Sequence, residues 1–354
     1  WSSDVCSSDL AMNDLIKQEL KRSAEAITGI DPEQIRAAAD AMIASLRAGG
    51  QVIFMGNGGS SADAQHISAE LSGRYMMERP AMAGVCLSNI APVTAIGNDY
   101  SYDMVFKRQI EAICRKGDAV VGLSTSGKSK NVILAMEAAR ERGATTISFT
   151  GPGGTMKDIA DVAVTIDTTE TPRIQEGYFV ACHTICGIIE REMYGPKAVF
   201  LDRDNTIAPD VPYCSDPKDF NVFEYAPEQI ARLNDAGYLV IVVTNQSGIG
   251  RGYLDDLTLS KIHEKMKAQV AEGGGRIDDI FYCPHMPEDG CSCRKPEAGM
   301  GVAAVRKHGI NTSVSYMVGD SEKDMEFGSA IGCRTIRVDG KFTLKDAVDQ
   351  ILGS

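Results

Sequence analysis

The sequence predicts an α/β protein made of two doubly wound parallel-sheet domains, and three observations carry that prediction. Short β-rich apolar runs alternate with longer stretches of helical composition along most of the chain, a pattern that calls for parallel strands joined by crossover helices. The alternation stops at Gly195-Pro196 and restarts at Ala198, so one sheet ends and a second begins there. The chain is 354 residues long, and at roughly 150 residues per domain this length holds about two cores.

Taken in order, the first ten residues, WSSDVCSSDL, show no periodicity and read as an artefact ahead of a natural start at Met12; residues 1–11 are therefore set aside as artefact or disordered. QVIFMG (51–56), VCLS (85–88), AVVGLST (119–125) and TTISFT (145–150) read as buried strands. A last helix from about Arg173 to Met193 closes the first domain, 12–194, and Gly195-Pro196 stops it. AVFLD from Ala198, YLVIVVT (238–244), DIFYC (279–283), SYMVG (315–319) and TIRV (335–338) supply the strands of the second domain, 195–354. No internal repeat relates the halves.

Composition narrows the function. A hydrophobic content of 44% with 24% charged residues is that of ordinary globular domains. The net charge of −12 opposes a general grip on nucleic acid or anionic lipid, which needs clustered Lys and Arg, so neither partner is expected. Small anionic substrates need only a local group of donors. No apolar run approaches the ~20 residues of a membrane span, so a cytoplasmic enzyme is expected. Of the ten cysteines, most are scattered, but Cys283, Cys291 and Cys293 cluster beside His285, which points to metal and not to disulfides.

In the first half, GNGGSSADAQHISAEL (56–71) follows a strand and opens a helix. Gly56, Gly58 and Gly59 permit a tight turn, and Ser60 and Ser61 are placed to cap the helix while its free N–H groups face an anion. A glycine-rich turn of this kind also serves as a plain connection. A second turn carries Ser124, Thr125, Ser126, Gly127 and Ser129 before a helix from Lys130. Hydroxyls at a helix N-terminus suit a phosphate, although a serine-rich cap without ligand has the same composition. His66 and Glu70, four apart, share a helix face. Gln175 and His183, eight apart, stand roughly 80° apart and about 12 Å along the last helix, so they converge only if their side chains lean together.

Through GNGGS, Asp63-Ala64-x-His66 with Glu70 following, GND at 97–99, STSGxS at 124–129 and RIQE at 173–176, residues 12–194 resemble the sedoheptulose 7-phosphate isomerases of the sugar isomerase (SIS) family. Lys128 departs from the family's Asn. The resemblance implies aldose–ketose isomerisation through an enediol, with Glu70 as base and His183 as its acid/base partner. It implies Ser60, Ser124, Thr125, Ser126 and Ser129 on the phosphate, Asn57 and Asp99 on the sugar, and zinc at His66, Glu70, Gln175 and His183. It also implies a homotetramer assembled through the SIS domain. Some relatives with this fold are non-catalytic sugar-phosphate-binding or regulatory modules; retention of both Glu70 and His183 disfavours that reading.

In the second half, Asp202, Asp204 and Thr206 form DxDxT at the end of a strand. Carboxylates so close repel unless a cation lies between them, which suggests Mg²⁺, though Asp pairs also occur as simple turn residues. Thr244 and Asn245 end the next strand, Lys295 sits in CRKP, and Gly319-Asp320-xxx-Asp324 ends a third. Cys283, His285, Cys291 and Cys293 form C-x-H-x5-C-x-C, a donor set for a closed structural zinc site that would clip the loop bearing Arg294 and Lys295. The four strand-end motifs match the haloacid-dehalogenase (HAD) superfamily. VFLDRDxT, VVTNQSGIxRG, YCPHxPEDGCxCRKP and YMVGD make residues 197–340 resemble D-glycero-D-manno-heptose 1,7-bisphosphate phosphatases, with histidinol-phosphate phosphatases the nearest rival. Asn205 departs from the usual Gly. The resemblance implies Asp202 as nucleophile and Asp204 as general acid/base. It places Thr244, Asn245, Arg294 and Lys295 on substrate, and Mg²⁺ on Asp202, Asp320 and the backbone carbonyl of Asp204.

Overall fold

A computed structural model describes the backbone of residues 4–353 and the side chains of 12–353. The chain divides between Met193 and Tyr194 into two units, one residue from the expected boundary. Of the segment 1–11, residues 1–3 lie outside the described residues, and the backbone of 4–11 belongs to the first helix.

The amino-terminal unit starts with α1 (Asp4–Thr28) and α2 (Pro32–Arg47), the latter with Asp31 accepting from Glu33 N and Pro32 in its first turn. These placements match N-terminal helix chemistry. There follow β1 (Val52–Gly56), α3 (Gly59–Ser72), β2 (Gly84–Cys86), α4 (Ile90–Asp99), α5 (Lys107–Ile113), β3 (Ala119–Ser124), α6 (Lys130–Glu141), β4 (Thr145–Thr150), α7 (Met156–Ile159), β5 (Val162–Thr165) and α8 (Thr171–Tyr194). The five strands are all parallel in the order β2-β1-β3-β4-β5. Strand β5 was not expected from the sequence; VAVT is only four residues long. The strands β1 and β3 are buried throughout, as strands covered by helices on both faces must be. Their side chains divide between two cores, with Val52, Phe54 and Val121 on one face and Ile53, Met55 and Val120 on the other.

The carboxyl-terminal unit contains β6 (Ala198–Leu201), α9 (Ala226–Asp235), β7 (Leu239–Asn245), α10 (Asp256–Glu272), β8 (Asp279–Cys283), α11 (Gly299–His308), β9 (Tyr316–Gly319), α12 (Glu322–Ala330), β10 (Arg334–Arg337) and α13 (Leu344–Leu352). Its sheet is also parallel, in the order β10-β9-β6-β7-β8. The expected pair of doubly wound sheets is therefore present.

In each sheet the first strand in sequence is an interior one, second of five in the first sheet and the middle strand in the second, and succeeding strands are laid down on either side of it. That reversal opens a crevice at the carboxyl ends of the central strands, where open α/β sheets bind ligands. In the first unit the crevice lies between the ends of β1 and β3. In the second it lies at the ends of β6, β7 and β9.

Candidate active sites

The first crevice is walled by two turns. After β1, Gly58 has φ 55° and is itself the residue preceding α3, which begins at Gly59 with no side-chain cap. The expectation that Ser60 and Ser61 cap this helix is therefore corrected. Both lie inside its first turn, and the Ser60 hydroxyl is buried against the Tyr178 hydroxyl at 2.6 Å. Asn57 exchanges hydrogen bonds with Asn131 and accepts from the Tyr102 hydroxyl at 2.9 Å. After β3, Gly127 takes φ 63°, and a Cβ there would lie 2.4 Å from the carbonyl oxygen of Gly153. Only glycine fits at that position. The carbonyl of Gly127 accepts from Thr155 and Met156 N, which fixes the turn. Ser124 and Ser129 bring their hydroxyls within 2.9 Å of each other at the start of α6, with Thr125 half-buried and Ser126 exposed beside them. Asp99 stands exposed at the end of α4, where it accepts from Asn98 at 2.9 Å.

α3 and α8 bring together the other candidates. His66 Nε2 lies 3.1 Å from His183 Nε2 and 3.0 Å from Glu70 Oε1. His183 thus meets the His66–Glu70 pair across the two helices. Burial pushes the pKa of His183 down, with His66 adding to the effect, so the neutral imidazole is favoured. The donor atoms of His66, Glu70 and His183 are mutually close enough to share one metal ion, and two imidazoles with a carboxylate are a reasonable zinc set. Gln175 gives its Nε2 to Asp63 Oδ2 at 2.8 Å, which leaves its amide oxygen as the atom free to act as a donor. Asp63, three residues before His66, was not assigned a role from the sequence; its i, i+3 spacing was the available signal.

In the second unit the four strand-end motifs meet. Lys295 Nζ is 2.8 Å from Asp202 Oδ1 and 2.6 Å from Asp324 Oδ1, and all three are buried. Burial opposes the lysine's charge, yet Asp202 and Asp324 hold its pKa above the ordinary value. Burial also pushes Asp202 up to about 7, with Asp324 and Asp204 contributing and Lys295 resisting. A divalent cation would relieve that load. Carboxylate oxygens of Asp202, Asp320 and Asp324 lie within 4.8 Å of one another, a hard oxygen set suited to Mg²⁺. Asp324 thus joins the cluster, although it was noted in the sequence only as part of the fourth motif. Its other oxygen accepts from Ser321 N and Oγ.

The carboxylate of Asp204 is turned away from that cluster. Arg203 grips it with two hydrogen bonds at 2.9 and 3.0 Å, and Gln246 donates to it at 3.1 Å. The same Gln246 amide reaches Thr244 Oγ1 at 2.9 Å. Arg203 and Gln246 escaped the sequence reading, though each sits one residue from an assigned one. Asn245 and Lys295 exchange two hydrogen bonds, Lys295 N to Asn245 Oδ1 and Asn245 Nδ2 to Lys295 O, at 3.0 and 3.1 Å. Asn245 therefore orients the lysine. Asn205 takes φ 56°, the left-handed conformation that Asn tolerates in place of Gly, and donates to Asp320 at 3.0 Å. A cavity of about 190 Å³ reaches Asp202, Asp204, Thr244, Lys295 and Asp320. Arg294 lines a separate cavity of about 480 Å³, which also touches Lys295.

Sulfurs of Cys283, Cys291 and Cys293 lie 3.3 to 3.5 Å apart, and His285 Nδ1 lies 3.2 Å from Cys293 and 3.5 Å from Cys283. A tetrahedron with edges of about 3.4 Å places its centre about 2.1 Å from each corner, close to zinc–ligand distances. The donor set fits a structural zinc, held where the chain turns toward Arg294 and Lys295.

Comparison with known proteins supports the same division. Residues 17–151 match the SIS domain model and residues 292–351 match the HAD-hydrolase-like model. The phosphoheptose isomerase of Geobacter metallireducens is 45% identical over 188 residues, 52% of this chain and 100% of that protein. The structure of a phosphoheptose isomerase from Neisseria gonorrhoeae aligns at 37% identity over 51% of this chain and 98% of that one, with a TM-score of 0.48. That of a D,D-heptose 1,7-bisphosphate phosphatase from B. bronchiseptica aligns at 33% identity over 44% of this chain and 98% of that one, with a TM-score of 0.42. Since the amino-terminal unit spans a 45% identical relative from end to end, the chain belongs through that unit to the phosphoheptose isomerase family, joined to a HAD-hydrolase-like unit.

Proposed function

We propose that the chain is a bifunctional enzyme of heptose biosynthesis. The amino-terminal unit interconverts sedoheptulose 7-phosphate and D-glycero-D-manno-heptose 7-phosphate. The carboxyl-terminal unit removes the 7-phosphate of D-glycero-D-manno-heptose 1,7-bisphosphate. The observation that carries the first activity is the convergence of Glu70 and His183 from separate helices. Isomerisation moves a proton between adjacent carbons, so one group must take it from carbon while another serves the neighbouring oxygens. Glu70 is the base, His183 the proton carrier at oxygen, and Ser124, Thr125, Ser126 and Ser129 hold the phosphate against the α6 N-terminus. Zinc held by His66, Glu70 and His183, with the amide oxygen of Gln175, would polarise the substrate oxygens.

For the second activity the supporting observation is the separation of two carboxylate roles. Asp202 faces Lys295 and is the nucleophile; Asp204, drawn aside by Arg203 and Gln246, protonates the leaving oxygen and then takes a proton from the attacking water. Lys295 and Thr244 bind the transferring phosphoryl group. Mg²⁺ held by Asp202, Asp320 and the Asp204 carbonyl would neutralise charge on the phosphoryl oxygens.

We further propose a homotetramer formed through the amino-terminal unit and a cytoplasmic location. Among the described residues no helix is long and apolar enough to cross a membrane. Sedoheptulose 7-phosphate, heptose 1,7-bisphosphate anomers and histidinol phosphate, each supplied alone, test both activities. Isomerisation of the first and phosphate release from a bisphosphate are expected. Faster release from histidinol phosphate would reassign the phosphatase, and a silent first arm in the presence of zinc would make the amino-terminal unit a binding module.

A further inference from the structure

α8 carries His183 and, seven residues later, Glu190. Seven residues make nearly two turns, so both side chains leave one face roughly 10 Å apart along the axis. The Glu190 carboxylate is fully engaged. Its Oε1 accepts from Tyr75 N at 2.9 Å and Arg79 Nε at 3.0 Å, and its Oε2 accepts from Met76 and Met77 N at 2.9 Å. The side chains of Glu190 and Arg79 are each only 1% exposed.

The remaining guanidinium nitrogens of Arg79 reach the end of α3. Nη2 donates to the carbonyl of Glu70 at 2.7 Å, and Nη1 donates to those of Leu71 at 2.8 Å and Gly73 at 3.1 Å. A helix leaves its last carbonyls without partners, and a cation there both satisfies them and suits the helix dipole. The helix so capped is the one bearing His66 and Glu70. The backbone held by Glu190 also sets Tyr75, whose ring stacks on His183 at 5.4 Å with 15° between planes.

We propose that the buried Glu190–Arg79 ion pair is a positioning device for the isomerase site, locking the last turn of α3 to α8 so that Glu70 and Tyr75 are fixed against His183. It rests on the isomerase reading given above. Neither residue touches the reacting atoms; both act through the helix end and the 73–80 segment. A buried ion pair is seldom more stabilising than apolar packing of the same volume. It does impose direction, through hydrogen bonds to named carbonyls and N–H groups. Direction matters here because base and proton carrier come from different helices, and a shift of about 1 Å in such a pair can cost on the order of a hundredfold in rate.

The test uses the full chain with Glu190→Gln and, as the milder change, Arg79→Lys. Isomerase kinetics on sedoheptulose 7-phosphate are set beside calorimetric titration with the corresponding heptitol 7-phosphate, which keeps the phosphate and hydroxyls but has no carbonyl to isomerise. The titration counts competent sites and gives their affinity. In both variants kcat per counted site should fall at least about tenfold, while KM and the heptitol dissociation constant stay within about threefold. Phosphatase activity of the same chains should not change. A merely structural clasp would lower the site count and leave turnover per remaining site intact, and that result overturns the proposal. So does a loss of affinity matching the loss of kcat. Should Glu190→Gln leave no sites to count, Arg79→Lys decides by the same criteria. A wild-type chain that binds the heptitol without isomerising the substrate would instead remove the isomerase reading.

Discussion

His263 makes the stability of the carboxyl-terminal unit depend on pH in a calculable way. It lies on α10, 6% exposed, with Nε2 lacking any hydrogen-bond partner among the described residues. Burial, reinforced by Arg203 and Lys267, pushes its pKa from 6.5 down to about 3. The folded unit thus holds this imidazole neutral while the unfolded chain protonates it below 6.5. A base with a depressed folded pKa contributes stability that is present above the unfolded value and is lost as pH falls through the window toward the folded one. At pH 5.5 the unfolded chain gains RT ln(1 + 10), about 1.4 kcal/mol, and at pH 4.5 about 2.7 kcal/mol. Both figures are insensitive to the folded value, since both pH values lie well above 3. His263→Phe keeps a planar ring and removes the titration. Calorimetry of the full chain should follow the transition that coincides with loss of phosphatase activity, for wild type and variant, from pH 7.5 to 4.5. The stability of the variant relative to wild type should rise by about 1.4 kcal/mol between pH 7.5 and 5.5. A difference that stays constant across that range would refute the reasoning, whatever the absolute stabilities.

The remaining predictions concern chemistry and metal. Asp202→Asn should abolish phosphate release and leave isomerisation intact, because the two units have separate cores; phosphate release at a tenth of the wild-type rate would count against Asp202 as nucleophile. Glu70→Gln should do the converse, since an amide cannot remove a carbon-bound proton, and solvent-hydrogen exchange into substrate at the wild-type rate would contradict it. Cys291→Ser should lower the zinc content of protein purified without added metal and loosen the turn bearing Lys295, as measured by metal analysis and by phosphatase kinetics; unchanged zinc would remove the clip. Finally, the wild-type chain should release little phosphate from sedoheptulose 7-phosphate alone and should release it once ATP, Mg²⁺ and a heptose 7-phosphate kinase are supplied. The segment Gly122–Ser129 spells G-x-x-x-x-G-K-S, but Gly122 to Ser124 are paired within β3, so it forms no full glycine-rich loop to cradle a nucleotide and add the second phosphate. Rapid phosphate release without the kinase would reassign the phosphatase to monophosphates.

The sequence alone determined what is encoded locally. Continuous apolar runs such as VIFMG and LVIVVT specify strands covered on both faces, and their alternation with helices sets the parallel class and the break near residue 194. The cysteine spacing pointed to a candidate metal site because its four donors lie within eleven residues, Cys283 to Cys293. Tertiary structure alone decided everything that depends on distance between elements. The short β5 was missed because four residues carry too little pattern, and it is secured by pairing with β4. Ser60 looked like a cap, but Gly58 holds the turn and Tyr178, 118 residues away, takes the hydroxyl. His66 and His183 are 117 residues apart, yet their nitrogens meet at 3.1 Å only because α3 and α8 pack together. In the second unit the sequence named Asp202, Asp204 and Lys295, but not which carboxylate faces the lysine. That choice follows from Arg203 and Gln246 drawing Asp204 aside while Asp324 completes the charge balance around Lys295. Side-chain hydrogen bonds across strand ends have no periodicity in the chain, and so no reading of the chain by itself could contain them.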